Sequence, residues 1–178
     1  MTDILDIVLD YCVPVEWEAV TKLDYNNKRY KLYDLSVGSN EYAHEVNDFV
    51  NGDVNIQVKK IQRVQNPFQL GKFCIRKEQK KHRGEDSEVV KYYHPLRIND
   101  LEMALEHNMD VRRYGSRHAS QVSSQNPKFY KTPSLAFLSM EPCDVILICN
   151  VLGHTSEGST TYKGSDSEYM PTYVVKVA

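Results

Sequence analysis

The segment Val58-Lys-Lys-Ile61-Gln-Arg-Val64-Gln-Asn66-Pro67-Phe-Gln-Leu70-Gly-Lys-Phe73 constrains the fold more than any other stretch of the chain. It reads as a strand that runs through an Asn-Pro stop directly into a helix. The Asn66 side-chain oxygen can accept a hydrogen bond from a first-turn N–H, and Pro67 fits the first helical position, where an N–H has no partner to lose. Ile61, Val64, Leu70 and Phe73 are expected to meet across this junction in one core cluster.

On the N-terminal side, Ile4, Leu5, Val8, Leu9 and Cys12 have helix-like spacing in a stretch too short to fix its state. Residues 1–12 are read as an N-terminal extension, followed by an extended lead-in, Val13-Pro-Val-Glu-Trp17, with Trp17 anchored in the core. Tyr30–Leu35 reads as a strand. From Ser39 to Val50, Tyr42, Val46, Phe49 and Val50 recur on one helical face, and Gly52 is expected to close the helix. Val54–Val58 alternates as a half-buried strand does, and Lys59-Lys60 breaks the phase, which predicts a bulge.

The helix from Pro67 turns basic after Phe73 and Cys74 and is expected to fade in the polar stretch Lys80–Ser87. Glu88–His94 is the next strand. Asn99 with Glu102 three residues on predicts a capping box over the stripe Leu101, Ala104, Leu105. From Gly115 to Met140 the pattern is weak. Val145–Leu152 is a continuous apolar run, short enough to be a strand buried on both faces. A Ser/Thr/Gly loop from Thr155 to Ser167 then leads to a final strand, Tyr173–Ala178. There is no internal repeat and no sign of a second domain.

At 178 residues the chain is long enough for one substantial core. Twelve Tyr among many Val and Ile favour strands. A formal charge of −2 argues against global attraction to nucleic acid or anionic membrane. Cys12, Cys74, Cys143 and Cys149 form no CxxC pair and no zinc-ligand spacing, so no metal is expected, and free thiols in a reducing compartment are the simplest reading. No segment nears the ~20 apolar residues of a membrane span. The acidic N-terminus lacks the positive region of a signal peptide. The expected location is nuclear or cytoplasmic, not secreted. The apolar strand at the C-terminus suggests a domain of a larger protein.

The strand-to-helix junction resembles the "I-x-R-I-Q-N-P-x-L-W-x-x-Y" segment of the catalytic domain of the poly(ADP-ribose) polymerase (PARP) family. Ile61, Arg63, Val64, Gln65, Asn66 and Pro67 match closely, while Gln69, Leu70 and Phe73 stand where Leu, Trp and Tyr are usual. The resemblance continues from about Val13 to Ala178. Tyr92-Tyr93-His94 is similar to "L-F-H-G-T", Met109-Asp110-Val-Arg112 to "F-D-x-R", Asn150–Gly153 to "R-V-L-x-G", and Tyr169–Val175 to "Y-P-E-Y-L-I". It implies an α+β ADP-ribosyltransferase fold over 13–178, with two packed, mainly antiparallel sheets and flanking helices. No regulatory helical bundle is inserted, which resembles the mono-ADP-ribosylating branch.

What the resemblance implies for the site is degeneracy. Active relatives bind NAD through a His-Tyr-Glu or His-Tyr-hydrophobic set. His94 matches the His, but the Gly that offers N–H and C=O to the nicotinamide carboxamide is Pro95, and the following Thr or Ser is Leu96. Proline lacks the N–H and places a ring where close backbone approach is needed. The Gly-x-Tyr-Phe-Ala motif is missing. Asn126, Phe129 or Tyr130 are alternatives for the triad Tyr, and Ala136 or Phe137 for the stacking Tyr. No Glu begins a strand before the last one: Thr160 or Thr161 falls near that position, and Glu157 and Glu168 lie in loop sequence. The vestigial cleft is therefore assigned to His94, Pro95, Leu96, Phe129, Tyr130 and Phe137. One of the three aromatics is expected to fill the nicotinamide position against His94 or Tyr93.

The expectation is a pseudoenzyme without cofactor, serving as a protein-interaction or structural module. Two alternatives stand beside it. One is an active NAD-dependent mono-ADP-ribosyltransferase that modifies proteins. The other is an RNA-binding adaptor using Lys72, Arg76, Lys77, Lys80, Lys81 and Arg83 against the single acid Glu78, where a solvated helix face competes because no stacking aromatics are interleaved. Ser120-Gln121 and Ser123-Ser124 near His118 lack the Gly-x-Ser-x-Gly elbow of a hydrolase.

Overall fold

Periodicity and capping signals translate, in chain order, into α1 (Ile4–Tyr11), β1 (Lys31–Asp34), α2 (Asn40–Val50), β2 (Val58–Gln65), α3 (Pro67–His82), β3 (Val89–Leu96), a 3₁₀ turn (Ile98–Asp100), α4 (Leu101–His107), β4 (Lys128–Tyr130), α5 (Pro133–Leu138), β5 (Val145–Leu152), β6 (Thr160–Tyr162) and β7 (Tyr169–Val177). The computed structural model describes residues 4–19, 21, 25, 27–109, 127–153, 160–163 and 165–178. At the junction, Asn66 Oδ1 accepts from the Gln69 N–H at 3.0 Å, and its amide donates to the Leu105 carbonyl at 3.2 Å. One side chain thus starts α3 and ties it to α4.

The strands form one seven-stranded antiparallel sheet in the order β1-β2-β7-β5-β3-β4-β6. The expected two packed sheets are corrected to this one. The reason lies in β5, which pairs along its length with β3 on one side and β7 on the other and fuses the two halves. The bulge predicted at Lys59-Lys60 is present as a register shift between Val58 and Lys60.

Strand alternation then divides the core. Val145, Leu147, Cys149 and Val151 of β5 face α4, beside Leu101, Ala104 and Leu105. Ile146 and Ile148 face α2 and α5, beside Phe49 and Ala136. A third cluster, Val8, Leu70, Phe73, Leu152 and Met170, lies under α1 and α3. The junction residues are consequently not one cluster: Ile61 joins the α2 side, Val64 the α4 side, and Leu70 with Phe73 the third. Ile61 and Val64 are three apart on a strand, and an odd separation puts them on opposite faces.

Several boundaries differ from expectation. β2 begins only at Val58, so Val54–Gln57 is not strand. α2 starts at Ser39, whose hydroxyl accepts from the Tyr42 N–H, but Asn51 caps its end rather than Gly52. α4 follows a 3₁₀ turn and has Asp100, not Asn99, at its N-cap, with no side-chain cap bond. α3 runs through Lys80 and Lys81 to His82. Residues 15–17 turn rather than extend, and Trp17 is half-buried against the third cluster. The expected N-terminal extension carries α1, whose Val8 packs onto Gly71. Asp110–Arg112, His118, the serine pairs at 120–124, Asn126 and Glu157 lie outside the described residues.

Candidate functional site: the strand end at His94

β3 carries Tyr92, His94 and Leu96 toward α4 and Tyr93 toward α2. His94 is buried, with Nδ1 2.8 Å from the Lys128 main-chain oxygen. A carbonyl only accepts, so Nδ1 carries the proton and Nε2 holds the lone pair. Burial pushes the imidazole down to about 4, so the ring is neutral. Its face meets Phe129, ring centroids 5.7 Å apart, and Phe129 in turn meets Tyr169 at 5.0 Å. Phe129 is paired across the strands with Thr161, which is also buried.

The structure therefore brings together His94, Phe129 and Thr161, with Leu96 in the same core cluster as Phe129. Pro95, buried, stands opposite Ile146, and Leu96 opposite Val145, so both are zipped into the β3–β5 ladder. Tyr130 and Phe137 are not brought to His94. Tyr130 pairs with Tyr93, and both Tyr130 and Phe137 pack in the α2-side cluster. The physical reason is again period two: Phe129 and Tyr130 are neighbours and face opposite ways. Among the described residues no group of three His, Cys, Asp or Glu is placed to hold a metal.

On the other face lies a polar band that the sequence reading missed. Arg63 forks onto Glu41, with Nε 2.7 Å from one carboxylate oxygen and Nη2 on the other, and the Tyr173 hydroxyl donates to Glu41 at 3.0 Å. Lys91 reaches Glu45 at 3.0 Å and Asp48 at 3.3 Å, and the Tyr93 hydroxyl donates to Asp48 at 2.6 Å. The Arg63 hydrogen bond holds the Glu41 carboxyl below the usual range. Burial, reinforced by Asp48, raises the Tyr93 phenol. The available signal was Arg63 itself, sharing a strand face with the core residue Ile61, where a buried guanidinium demands a carboxylate. A groove of about 370 Å³ borders this band, lined by Pro14, Trp17, Arg63, Phe73, Cys74 and Lys77 among others.

The basic stretch of α3 is also different from its sequence reading. Lys72 pairs with Asp166 at 3.0 Å, Arg76 with Glu168 at 2.7 Å, Lys80 with Glu85 and Glu168, and Arg83 approaches Glu85 at 3.9 Å. Acids remote in sequence answer three of the six cations, and the neighbouring Glu85 answers Arg83. Among the described residues, Lys77 and Lys81 keep none. A scan against protein-family models and a search of curated proteins match this chain to nothing.

Proposed function

We propose that this chain is a PARP-like ADP-ribosyltransferase domain that has lost its NAD site and works as a protein-interaction or structural module of a larger protein. One observation supports the reading: His94, Phe129 and Thr161, candidates for the positions where the resemblance seeks His, Tyr and Glu, converge on adjacent strands, with an apolar ring packed on the imidazole and, among the described residues, no carboxylate beside it. The imidazole N–H is already given to the Lys128 carbonyl, and Phe129 covers the ring. Pro95 offers no N–H, which would leave a carboxamide acceptor unpaired at about 1–3 kcal/mol. Thr161 has no carboxylate with which to steady a developing oxocarbenium charge or to support chain elongation.

The test is NAD turnover by the purified chain and by the double variant Pro95→Gly, Leu96→Thr. Neither is expected to hydrolyse NAD or label itself or a protein acceptor, because Phe129 still occupies the space beside His94. Turnover by either protein would overturn the proposal.

A further inference from the structure

Cys12 and Cys74 both flank the cluster where α1 packs on α3. A Cβ added at Gly71 would come within 2.7 Å of the Val8 methyl, so the two helices approach each other closely there. Cys12 lies one turn beyond Val8, with its N–H donating to the Val8 carbonyl at 3.0 Å. Cys74 lies three residues beyond Gly71. Both therefore fall on the touching faces. Both thiols pack against the same small cluster of Val8, Leu70, Phe73, Leu152 and Met170. The Cys74 thiol is close enough to Cys12 to feel it electrostatically, and neither is in a disulfide.

We propose that Cys12 and Cys74 are a redox clasp, closing as an intramolecular disulfide that ties α1 to α3 and reopening on reduction. The oxidant class is a low-molecular-weight disulfide such as oxidised glutathione. Cys12 loses its proton and attacks one sulfur of the oxidant, expelling one glutathione thiolate and leaving a mixed disulfide. Cys74 then loses its proton and attacks Cys12 Sγ, expelling the second thiolate. Two protein thiols are oxidised, one glutathione disulfide is reduced to two thiols, and both protons pass to the leaving groups. Burial, reinforced by Cys12, pushes the Cys74 thiol up to about 11, which suits it to the second, intramolecular step rather than the first.

The consequence falls on the groove beside the polar band. Cys74 lines it, and so do Pro14 and Trp17, two and five residues after Cys12 in the chain. With the clasp closed, that wall is pinned to α3; with it open, only packing holds it.

The experiment incubates the reduced full chain with excess oxidised glutathione, then reads a non-reducing peptide map and a melting curve. The expected result is a Cys12–Cys74 peptide as the main product and a melting temperature raised by several degrees, reversed by dithiothreitol and absent in Cys12→Ser. A bond closing so long a loop must stabilise unless it is strained. A map showing only glutathione adducts, or the bond without the rise, overturns the proposal. If Cys12→Ser does not fold, the map and melting curve of the unaltered chain decide alone.

Discussion

The face of the sheet under α4 and the face under α2 bury different things. Under α4, Tyr92, Leu105, Met109, Phe129 and the odd-numbered residues of β5 enclose His94 as a neutral ring. Under α2, Phe49, Ile61 and Ile146 flank a charged band in which Glu41, Glu45, Asp48, Arg63, Lys91 and two tyrosine hydroxyls pair with one another. A cofactor site needs donors held in place and left unpaired for the ligand. The α4 face closes over the His94 imidazole, and the α2 face pairs most of its charges internally, with Arg63 Nη1 left without a hydrogen bond. The same chain thus stabilises one face by exclusion of charge and the other by its mutual neutralisation.

The largest expected break in that comparison is Phe129→Ala. Phe129 is fully buried between His94 and Tyr169, and the cavity should cost about 3–5 kcal/mol in a denaturant titration. Acid should then distinguish the faces. His94 ordinarily titrates at 6.5 and is held near 4 in the fold, so the unfolded chain takes up its proton first. Stability is intact above 6.5 and falls as the pH drops toward 4, by about 3 kcal/mol in all. Glu41 and Asp48, whose carboxyls are held low, contribute stability that is lost only at lower pH. The α4 face therefore weakens first, and His94→Leu should flatten the upper part of the profile.

Next comes Arg63→Met, which strands Glu41 and should cost about 2 kcal/mol, while the pair Arg63→Met, Glu41→Leu should cost less than the single change. A pair no better than the single change would mean that packing, not charge, holds the α2 face. The smallest effect should come from Lys77→Glu with Lys81→Glu, within about 0.5 kcal/mol by melting. RNA binding by the unaltered chain with a steep salt slope that this variant abolishes would give those two cations a role the ion-paired helix does not suggest.

Much of the architecture was written locally. Asn66-Pro67 marked the start of α3, Ser39 the start of α2, and the unbroken run Val145–Leu152 a strand covered on both faces. What failed was what depends on distant partners. β4 is three residues long and exists because Tyr130 pairs with Tyr93 and Phe129 with Thr161. α5 does carry a local signal, Thr132-Pro133, with the Thr132 hydroxyl accepting from the Leu135 N–H at 3.3 Å, but six residues give no periodicity to confirm it. The acids that neutralise α3 come from as far as Glu168, which no reading of the helix alone could pair. At the candidate site, His94 at a strand end was legible. Tyr130 and Phe137 were misplaced because their side of the sheet depends on the register of a strand the pattern did not reveal.

If the space beside His94 is closed to NAD, thermal denaturation of the intact chain in millimolar NAD will register no binding. Occupancy at 100 times the dissociation constant would add about 2.7 kcal/mol and a visible rise in melting temperature. The predicted result is an unchanged melting curve with NAD and with nicotinamide alike. A rise with NAD that nicotinamide competes away would mean that the space beside His94 is open to the cofactor.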